Sequence, residues 1–316
     1  MPSAAPAEVT SGRDIRTLSR LITQIENELG DWQSKLASMY QQSGKSIRIG
    51  ITGPPGAGKS TIVNAMTHLY LASGSDVAIV AVDPSSPFTG GALLGDRVRM
   101  NEFPTDGKVF FRSMATRGAR GGLAASTSNV TVVYDAFGFD ITLIETVGVG
   151  QVELDIIDAC DVVVVVLVPE SGDSVQTMKA GLMEVGDIFL INKADRPGAE
   201  RLAAELKLTL DVRKEKPGGW RPQIIATEAT SKKNVYQVVA GIAEYLTWAQ
   251  SNGEFDRHRK AQIERMILSS VRGRFERDFL DKIGGTEALR EAVESVHVRK
   301  VDPWGAADTL FATYQR

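Results

Sequence analysis

The chain has 316 residues, of which 43% are hydrophobic and 24% are charged, and its net charge is −3 at pH 7. This composition is typical of a globular protein with a large core, and it gives no electrostatic reason to expect nucleic acid or an anionic membrane as a partner. The single cysteine, Cys160, excludes an intramolecular disulfide, and the longest apolar run, residues 162–168, is far too short to span a bilayer, so we expect a cytoplasmic protein.

The N-terminal region, residues 1–45, is predicted to be a tail followed by helices. Residues 1–12 are rich in small residues and proline, and they lack the basic end and apolar core of a signal peptide. Apolar residues recur at helical spacing over residues 14–42, with an interruption near Gly30 and Asp31. We therefore predict one long helix or a pair of helices that packs beside the next domain.

A strand, a glycine-rich turn and a helix are predicted in succession from residue 46. Gly53, Gly58, Lys59 and Ser60 match the pattern G-x-x-x-x-G-K-[ST] at each fixed position. Glycines let the backbone wrap around a phosphate chain, and the following helix adds the positive end of its dipole. In this interpretation Lys59 neutralises the β- and γ-phosphates and Ser60 ligates Mg²⁺, whereas the alternative is an ordinary strand–turn–helix corner. The predicted phosphate-binding residues are Gly53, Pro54, Pro55, Gly56, Ala57, Gly58, Lys59, Ser60 and Thr61.

Apolar strands alternate with helical segments over the predicted domain of residues 46–250. Continuous apolar strands separated by helices indicate an α/β fold with a mostly parallel central sheet covered by helices on both faces. Right-handed crossovers then bring the functional turns to the carboxyl edge of the sheet. The predicted strands are residues 46–52, 77–83, 109–113, 141–145, 162–168, 188–192 and 223–227.

Acidic and glycine-rich segments follow two of these strands. Asp83 and Glu145 end their strands and are placed to hold Mg²⁺, directly or through its waters; a helix N-cap and a solvated strand end are the respective alternatives. Asp96, in a glycine-rich loop, is a candidate acid that reaches the metal in only one state. The Gly148 N–H could sense the γ-phosphate, and Gln151 could orient an attacking water or simply begin a helix.

The segment Asn192-Lys-Ala-Asp195 follows an apolar strand and fits the guanine-reading pattern N/T-K-x-D. The Asp195 carboxylate can accept hydrogen bonds from the ring N–H and the exocyclic amine of guanine, whereas adenine would leave it unpaired. The Lys193 stem can lie over the base, and Asn192 can tie this loop to the phosphate-binding turn. A second base contact is expected after the last strand, through the backbone N–H of Ala229. The predicted base-binding residues are Asn192, Lys193, Asp195, Glu228, Ala229 and Thr230.

The C-terminal region, residues 251–316, is predicted to be helical, with helices over residues 253–283, 286–296 and 304–314. No further strand pattern occurs in it. A helical extension of this length on a nucleotide-binding domain is more often an arm for interaction than a second active site.

Five segments together carry a specific resemblance. They read Gly-Pro-Pro-Gly-Ala-Gly-Lys-Ser-Thr, Val-Asp-Pro-Ser-Ser, Thr-Gly-Gly-Ala-Leu-Leu-Gly-Asp-Arg, Glu-Thr-Val-Gly-Val-Gly-Gln and Asn-Lys-Ala-Asp. In this combination the chain resembles the MeaB/ArgK family of P-loop GTPases, which are chaperones of adenosylcobalamin-dependent acyl-CoA mutases, including methylmalonyl-CoA mutase. The resemblance runs from about residue 47 to residue 195 and returns at residues 302–308.

The resemblance implies a slow GTPase that binds GTP or GDP with Mg²⁺ and works as a homodimer joined through its C-terminal helical arm. Such a protein uses GTP binding and hydrolysis to gate cofactor loading and to protect the mutase. A third moving segment of the family corresponds to residues 169–176, where Ser174 and Val175 replace the usual Glu-Leu. Val152 also replaces a usual serine. The predicted metal ligands are Ser60, Asp83, Asp96 and Glu145, and the predicted catalytic residues are Lys59, Asp96, Glu145 and Gln151.

Three other functions are compatible with a nucleotide-binding domain. A metallochaperone for nickel enzymes needs a cluster of Cys and His, which one cysteine and three scattered histidines do not supply. A small-molecule kinase of the transport type needs a substrate pocket and a base, and the sequence identifies neither. A nucleotide-gated interaction protein with negligible turnover is the third alternative.

Overall fold

The computed structural model describes residues 13–83, 103, 106–115, 122–146, 159–171, 181–212 and 219–315. The strands in this part of the chain are β1 (Ile47–Thr52), β2 (Val77–Asp83), β3 (Val109–Ala115), β4 (Ile141–Thr146), β5 (Val162–Leu167), β6 (Ile188–Ile191) and β7 (Gln223–Ala226). The main helices are α1 (Ile15–Glu26), α2 (Trp32–Tyr40), α3 (Lys59–Ala72), α4 (Gly122–Ala136), α5 (Ala199–Val212), α6 (Val235–Ser251), α7 (Glu254–Ile283), α8 (Gly285–His297) and α9 (Pro303–Tyr314). Each predicted strand is present.

The strands form one sheet in the order β3-β2-β4-β1-β5-β6-β7. The sequence predicts a mostly parallel sheet, and every pair of neighbouring strands in the described part is parallel. The strand β1 lies at the centre, between β4 and β5. Because the strands are parallel, the turns that follow β1, β4, β6 and β7 meet at the same edge of the sheet, which is where the candidate site lies.

Apolar side chains cover both faces of the sheet. Each residue of β5 is buried. Successive residues of β5 point to opposite faces: Val164 belongs to the core under α3 and α6, and Val163 belongs to the core under α1, α4 and α5. A strand buried on both faces has no polar alternation, which explains the continuous apolar run in the sequence.

The N-terminal segment is a pair of helices, α1 and α2, broken at residues 27–31. The Asp14 carboxylate accepts hydrogen bonds from the backbone N–H groups of Arg16 and Thr17, which caps the start of α1. Just before it, Arg13 donates to the carbonyl oxygen of Phe137 at 2.8 Å and pairs with Asp76 at 2.7 Å. These contacts attach the helix pair to the sheet domain. The predicted tail, residues 1–12, lies outside the described residues.

The chain divides into two compact units, residues 1–262 and residues 263–316. The first turns of α7 belong to the first unit and are attached to the amino edge of the sheet by Asp161, the residue before β5. The buried Asp161 carboxylate contacts Arg48 of β1 at 2.6 Å and Arg259 of α7 at 2.9 Å. Burial alone would raise the pKa of Asp161, but the two guanidinium groups lower it to about 2. We refer to Arg48, Asp161 and Arg259 as the arginine–aspartate clasp.

The second unit contains the rest of α7 together with α8 and α9. Aromatic rings hold it together: Phe275 and Phe279 of α7 lie 5.5 and 5.4 Å from the ring of Tyr314 in α9. The Tyr314 hydroxyl also donates to Asp278 at 3.0 Å. These helices confirm the predicted helical C-terminal region. Among the helices that the structure describes, none has the length and apolarity needed to cross a membrane.

Candidate functional site

The predicted phosphate-binding turn links β1 to α3 at the carboxyl edge of the sheet. The α3 helix begins directly after Gly58, and no side chain caps this end. The buried Lys59 side chain lies back over the turn and donates to the carbonyl oxygens of Gly53 at 2.7 Å and Pro54 at 2.9 Å. A lysine held beside a helix N-terminus gives the turn two sources of positive potential, which suits it to bind phosphate.

Two glycines of the turn have no room for a side chain. A Cβ atom on Gly53 would lie 2.1 Å from the Val166 carbonyl oxygen on β5, and one on Gly58 would lie 2.3 Å from the Asn192 amide nitrogen. Gly58 also has φ = 87°, a left-handed conformation that favours glycine. The motif glycines are therefore required by their close neighbours as well as by the backbone turn.

Ser60 and Glu145 meet beside the turn. The Ser60 hydroxyl, in the first turn of α3, donates to a carboxylate oxygen of Glu145 on β4. Glu145 is only 4% exposed, so the alternative of a solvated strand end is wrong. A hydroxyl and a buried carboxylate side by side are oxygen donors of the type that Mg²⁺ prefers, so the pair fits a magnesium ion.

The guanine-reading segment is joined to the phosphate-binding turn. The Asn192 amide donates to the Ala57 carbonyl oxygen at 2.8 Å, and the Lys193 ammonium donates to the Gly56 carbonyl oxygen at 2.9 Å. Asn192 is buried, and Lys193 has a left-handed backbone with φ = 57°. The two motifs predicted from separate parts of the sequence therefore form one connected surface.

The loop after β7 contacts the same asparagine. The Ala229 N–H, expected to meet the base, donates to the Asn192 side-chain oxygen at 3.1 Å. The Asp195 side chain is exposed at this edge of the sheet, two residues beyond Lys193. Glu228 pairs with Lys233 at 2.5 Å across the loop. The role of Asp195, Glu228 and Ala229 in binding a base stays a prediction.

A cavity of about 430 Å³ lies along α3 at this edge. Its lining includes five of the predicted site residues, which are Ser60, Thr61, Glu145, Ala229 and Thr230. The structure thus brings residues from the phosphate-binding turn, the strand end of β4 and the base loop to one cavity.

Several predicted residues cannot be placed. Asp96, Gly148 and Gln151 lie outside the described residues, and Asp83 ends β2 in pairing with Ala115 while its side chain is not described. No group of three or more His, Cys, Asp or Glu side chains within the described ranges is arranged to hold a metal ion. The metal-ligand prediction therefore rests, in this part of the chain, on Ser60 and Glu145.

The sequence did not identify three residues that contact predicted site residues. Val166 contacts Gly53 through its carbonyl oxygen, which no sequence pattern reveals. The Thr227 hydroxyl donates to the Asn192 side-chain oxygen at 3.4 Å, and Lys233 pairs with Glu228. Only the contact between Lys233 and Glu228 has a signal in the sequence, because this acid and this base stand five residues apart after the last strand.

Comparison with a solved structure supports the fold. A crystal structure of an LAO/AO transport system kinase aligns with 99% of this chain and 100% of its own, with a TM-score of 0.69 and 23% sequence identity. At this identity the likeness concerns the α/β architecture alone.

Curated relatives are more similar in sequence. A Pyrococcus abyssi protein that is named as a GTPase is 44% identical over 299 residues, which is 94% of this chain and 92% of that protein. GTPase ArgK of Escherichia coli is 32% identical and covers 78% of this chain and 76% of its own. The Caenorhabditis elegans protein "Methylmalonic aciduria type A homolog, mitochondrial" is 30% identical and covers 87% of this chain and 71% of its own.

The family described as "Methylmalonyl Co-A mutase-associated GTPase MeaB" matches residues 18–283. The match extends from α1 to the end of α7 and includes the phosphate-binding turn, Glu145 and Asn192. Together with the relatives and the joined motifs, it confirms the resemblance seen in the sequence. The chain is therefore a P-loop GTPase that belongs to the MeaB family.

Proposed function

We propose that this GTPase is a chaperone of an adenosylcobalamin-dependent acyl-CoA mutase. It gates adenosylcobalamin loading, protects or reactivates the mutase, and turns over GTP slowly until the mutase stimulates it. The observation that carries the proposal is the match of residues 18–283 to a family described as associated with methylmalonyl-CoA mutase. The name of the Caenorhabditis elegans relative, which refers to methylmalonic aciduria, supports the same partner.

The nucleotide would be held through its phosphates by the turn and α3. Lys59 is positioned over the turn, where its ammonium would neutralise the β- and γ-phosphates. Ser60 and Glu145 would hold Mg²⁺, Ser60 through its hydroxyl and Glu145 directly or through a water. When bound, magnesium would offset the charge that develops on the phosphate oxygens. The protein's own contribution is to hold these groups in place before the nucleotide arrives.

Guanine would be selected by Asp195, with Lys193 lying over the base. A carboxylate accepts two hydrogen bonds from guanine and finds no donor pair on adenine, which disfavours ATP. Asn192 supports this geometry because its side chain is fixed to Ala57 on one side and Ala229 on the other. Binding of the base is therefore connected through Asn192 to the turn that binds the phosphates.

The chain is proposed to act as a homodimer through its C-terminal arm, residues 251–316. Four apolar residues of α7 spaced four apart are exposed in the second unit: Ile263, Ile267, Val271 and Phe275. Successive residues at this spacing are neighbours on the helix surface, so the four form a continuous stripe, which we call the α7 stripe. An apolar stripe of this length is typical of a helix that packs against a partner.

The proposed partner can be tested with purified adenosylcobalamin-dependent methylmalonyl-CoA mutase. We expect single-turnover GTP hydrolysis to accelerate when the mutase is added, and affinity capture with GTP and with GDP to retain different amounts of mutase or of bound corrinoid. Hydrolysis at the same rate with and without the mutase, together with no capture in either nucleotide state, would contradict the proposal.

Lys59→Ala provides the control for this experiment. It removes the cation nearest the phosphates, so it should abolish hydrolysis in both arms. A response to the mutase that persists in Lys59→Ala would show that the effect does not depend on the nucleotide site.

A further inference from the structure

Two basic side chains, one next to Asp195 in the chain and one on the loop beside it, are each paired with a different acid. Lys233 pairs with Glu228 at 2.5 Å, and Arg196, which directly follows Asp195, pairs with Glu170. The hydrogen bond and charge of Glu228 raise the pKa of Lys233, and the Asp195 charge adds to this effect. Glu170 likewise raises the pKa of Arg196, with Asp195 again as a further contributor. The geometry agrees with this, because the Ala194 N–H donates to the Thr227 carbonyl oxygen at 3.0 Å and so places the segment of Asp195 next to the loop of Glu228 and Lys233.

Asp195 itself has no hydrogen bond or ion pair with any other described residue. Its carboxylate is exposed, and each of the two cations is paired with another acid. This arrangement matters for a residue that reads a base. A carboxylate already paired with a lysine or an arginine would have to give up that pair before it could accept from guanine.

The loop after β7 fixes Lys233 opposite Glu228. The backbone N–H of each residue donates to the carbonyl oxygen of the other, both at 3.2 Å. Ser231 donates from its hydroxyl to the second Glu228 carboxylate oxygen at 3.3 Å. Asn234 closes the loop by donating from its side chain to the Ala226 carbonyl oxygen at 3.0 Å. The backbone thus places the lysine where Glu228 can hold it.

We propose that Glu228 is a positioning residue that holds Lys233 away from the Asp195 carboxylate and so leaves that carboxylate to the guanine base. Glu170 does the same for Arg196. The inference rests on the proposed role of Asp195 as the guanine reader. Glu228 would affect nucleotide binding by holding Lys233 in place, and it would not contact the nucleotide itself.

The proposal predicts the sign of a double-mutant cycle. In Glu228→Gln the lysine loses its partner and moves to Asp195, so the dissociation constant for GDP should rise roughly two- to fivefold, the range expected for an exposed ion pair that must be broken. Lys233→Met removes the competing cation and should leave the affinity near that of the wild type. The double variant should bind as Lys233→Met does. Isothermal titration calorimetry at low ionic strength measures all four proteins, and added salt should reduce the Glu228→Gln defect.

Two results would contradict the inference about Glu228, and a third would contradict the proposed function. If the ion pair acts only by closing the loop, Lys233→Met and the double variant will bind GDP as weakly as Glu228→Gln, and the inference is wrong. Unchanged affinity in Glu228→Gln would also overturn it. If that variant does not fold, the second pair gives the same cycle, with Glu170→Gln, Arg196→Met and their combination. A wild-type protein that does not bind GDP would refute the proposed function itself.

Discussion

At the scale of single residues, the site depends on close contacts between its two motifs, and the sequence predicts that Asn192 joins them. The sequence predicts that Gly58 belongs to the phosphate-binding turn and that Asn192 belongs to the base-reading segment. In the structure the two residues touch, since the Asn192 amide occupies the space in which a Cβ of residue 58 would lie. The same asparagine donates to the carbonyl oxygen of Ala57. Each motif therefore constrains the other.

Substitution of Gly58 by alanine is expected to weaken GTP binding by roughly tenfold or more. The new methyl group would displace the buried Asn192 side chain, and overpacking of this kind costs about 1–3 kcal/mol. The base-reading segment would lose its attachment to the turn at the same time. Calorimetric titration with GTP measures the loss of affinity.

Gly74→Ala is the matched control. Gly74 has φ = 88°, nearly the value at Gly58, but no atom lies within 4 Å of the position that a Cβ would take. Its alanine variant should lose about 1–2 kcal/mol of unfolding free energy from backbone strain and keep its affinity for GTP. Equal GTP affinity in the two variants would show that contact with Asn192 is unimportant.

At the scale of the secondary-structure elements, the arginine–aspartate clasp attaches α7 to the sheet. The Asp161 carboxylate is buried between guanidinium groups from β1 and α7. Arg259 extends the attachment, because it also donates to the carbonyl oxygens of Gly44 and Ser46 at 2.8 Å. The elements therefore meet through charge at this edge, in contrast to the apolar contacts on the two faces of the sheet.

Asp161→Asn should lower the unfolding free energy by about 3–5 kcal/mol at pH 7, because two partly buried guanidinium groups lose the buried carboxylate that balances their charge. The pKa of Asp161 falls from 3.8 to about 2 on folding, so the stabilisation is present above about pH 4. It is lost as the pH falls from about 4 towards 2. Urea denaturation across this range measures the effect, and the difference between the two proteins should narrow as the pH falls.

Glu287→Gln provides the comparison for an exposed pair. Glu287 contacts Arg290 at 2.6 Å, but both side chains are about 70% exposed. Its loss should cost less than about 1 kcal/mol. An Asp161→Asn variant as stable as Glu287→Gln at pH 7 would contradict the role of the clasp.

The strands could be predicted from the sequence because a parallel strand that is buried on both faces consists of a continuous run of apolar residues. β5 is the clearest example, with six buried residues in succession. The clasp could not be predicted, because Arg48, Asp161 and Arg259 are far apart in the chain. No sequence pattern distinguishes any of the three from an ordinary charged residue. The same limit applies to the site: the motifs predicted Lys59 and Asn192, whereas the Lys233–Glu228 pair depends on how one loop closes.

At the scale of the whole molecule, the α7 stripe is the feature that the proposed homodimer would use. Ile267 and Val271 are 58% and 59% exposed in the described structure, although both are large and apolar. Burial of such side chains against a second copy would stabilise association by about 25 cal/mol per Å² of apolar surface. The stripe therefore supports the arm as the dimer contact.

The double variant Ile267→Glu with Val271→Glu is expected to sediment as a monomer, because two carboxylates would have to be buried in the contact. Analytical ultracentrifugation at micromolar concentration measures the change. Arg272 is exposed on another face of α7, so Arg272→Glu should sediment as the wild type does. A double variant that remains dimeric would show that the contact lies elsewhere.

The clasp also determines where this polypeptide can be divided. A shortened chain that stops at residue 250 keeps the whole sheet but leaves Asp161 with one guanidinium neighbour instead of two. One that stops at residue 262 retains Arg259 and also Gln262, whose amide donates to the Cys160 carbonyl oxygen at 2.5 Å. A variant in which the arm is removed for biochemical study, or replaced by another oligomerisation module, should therefore be divided after Gln262. Division at Gly253, directly before α7, would remove Arg259 from the clasp.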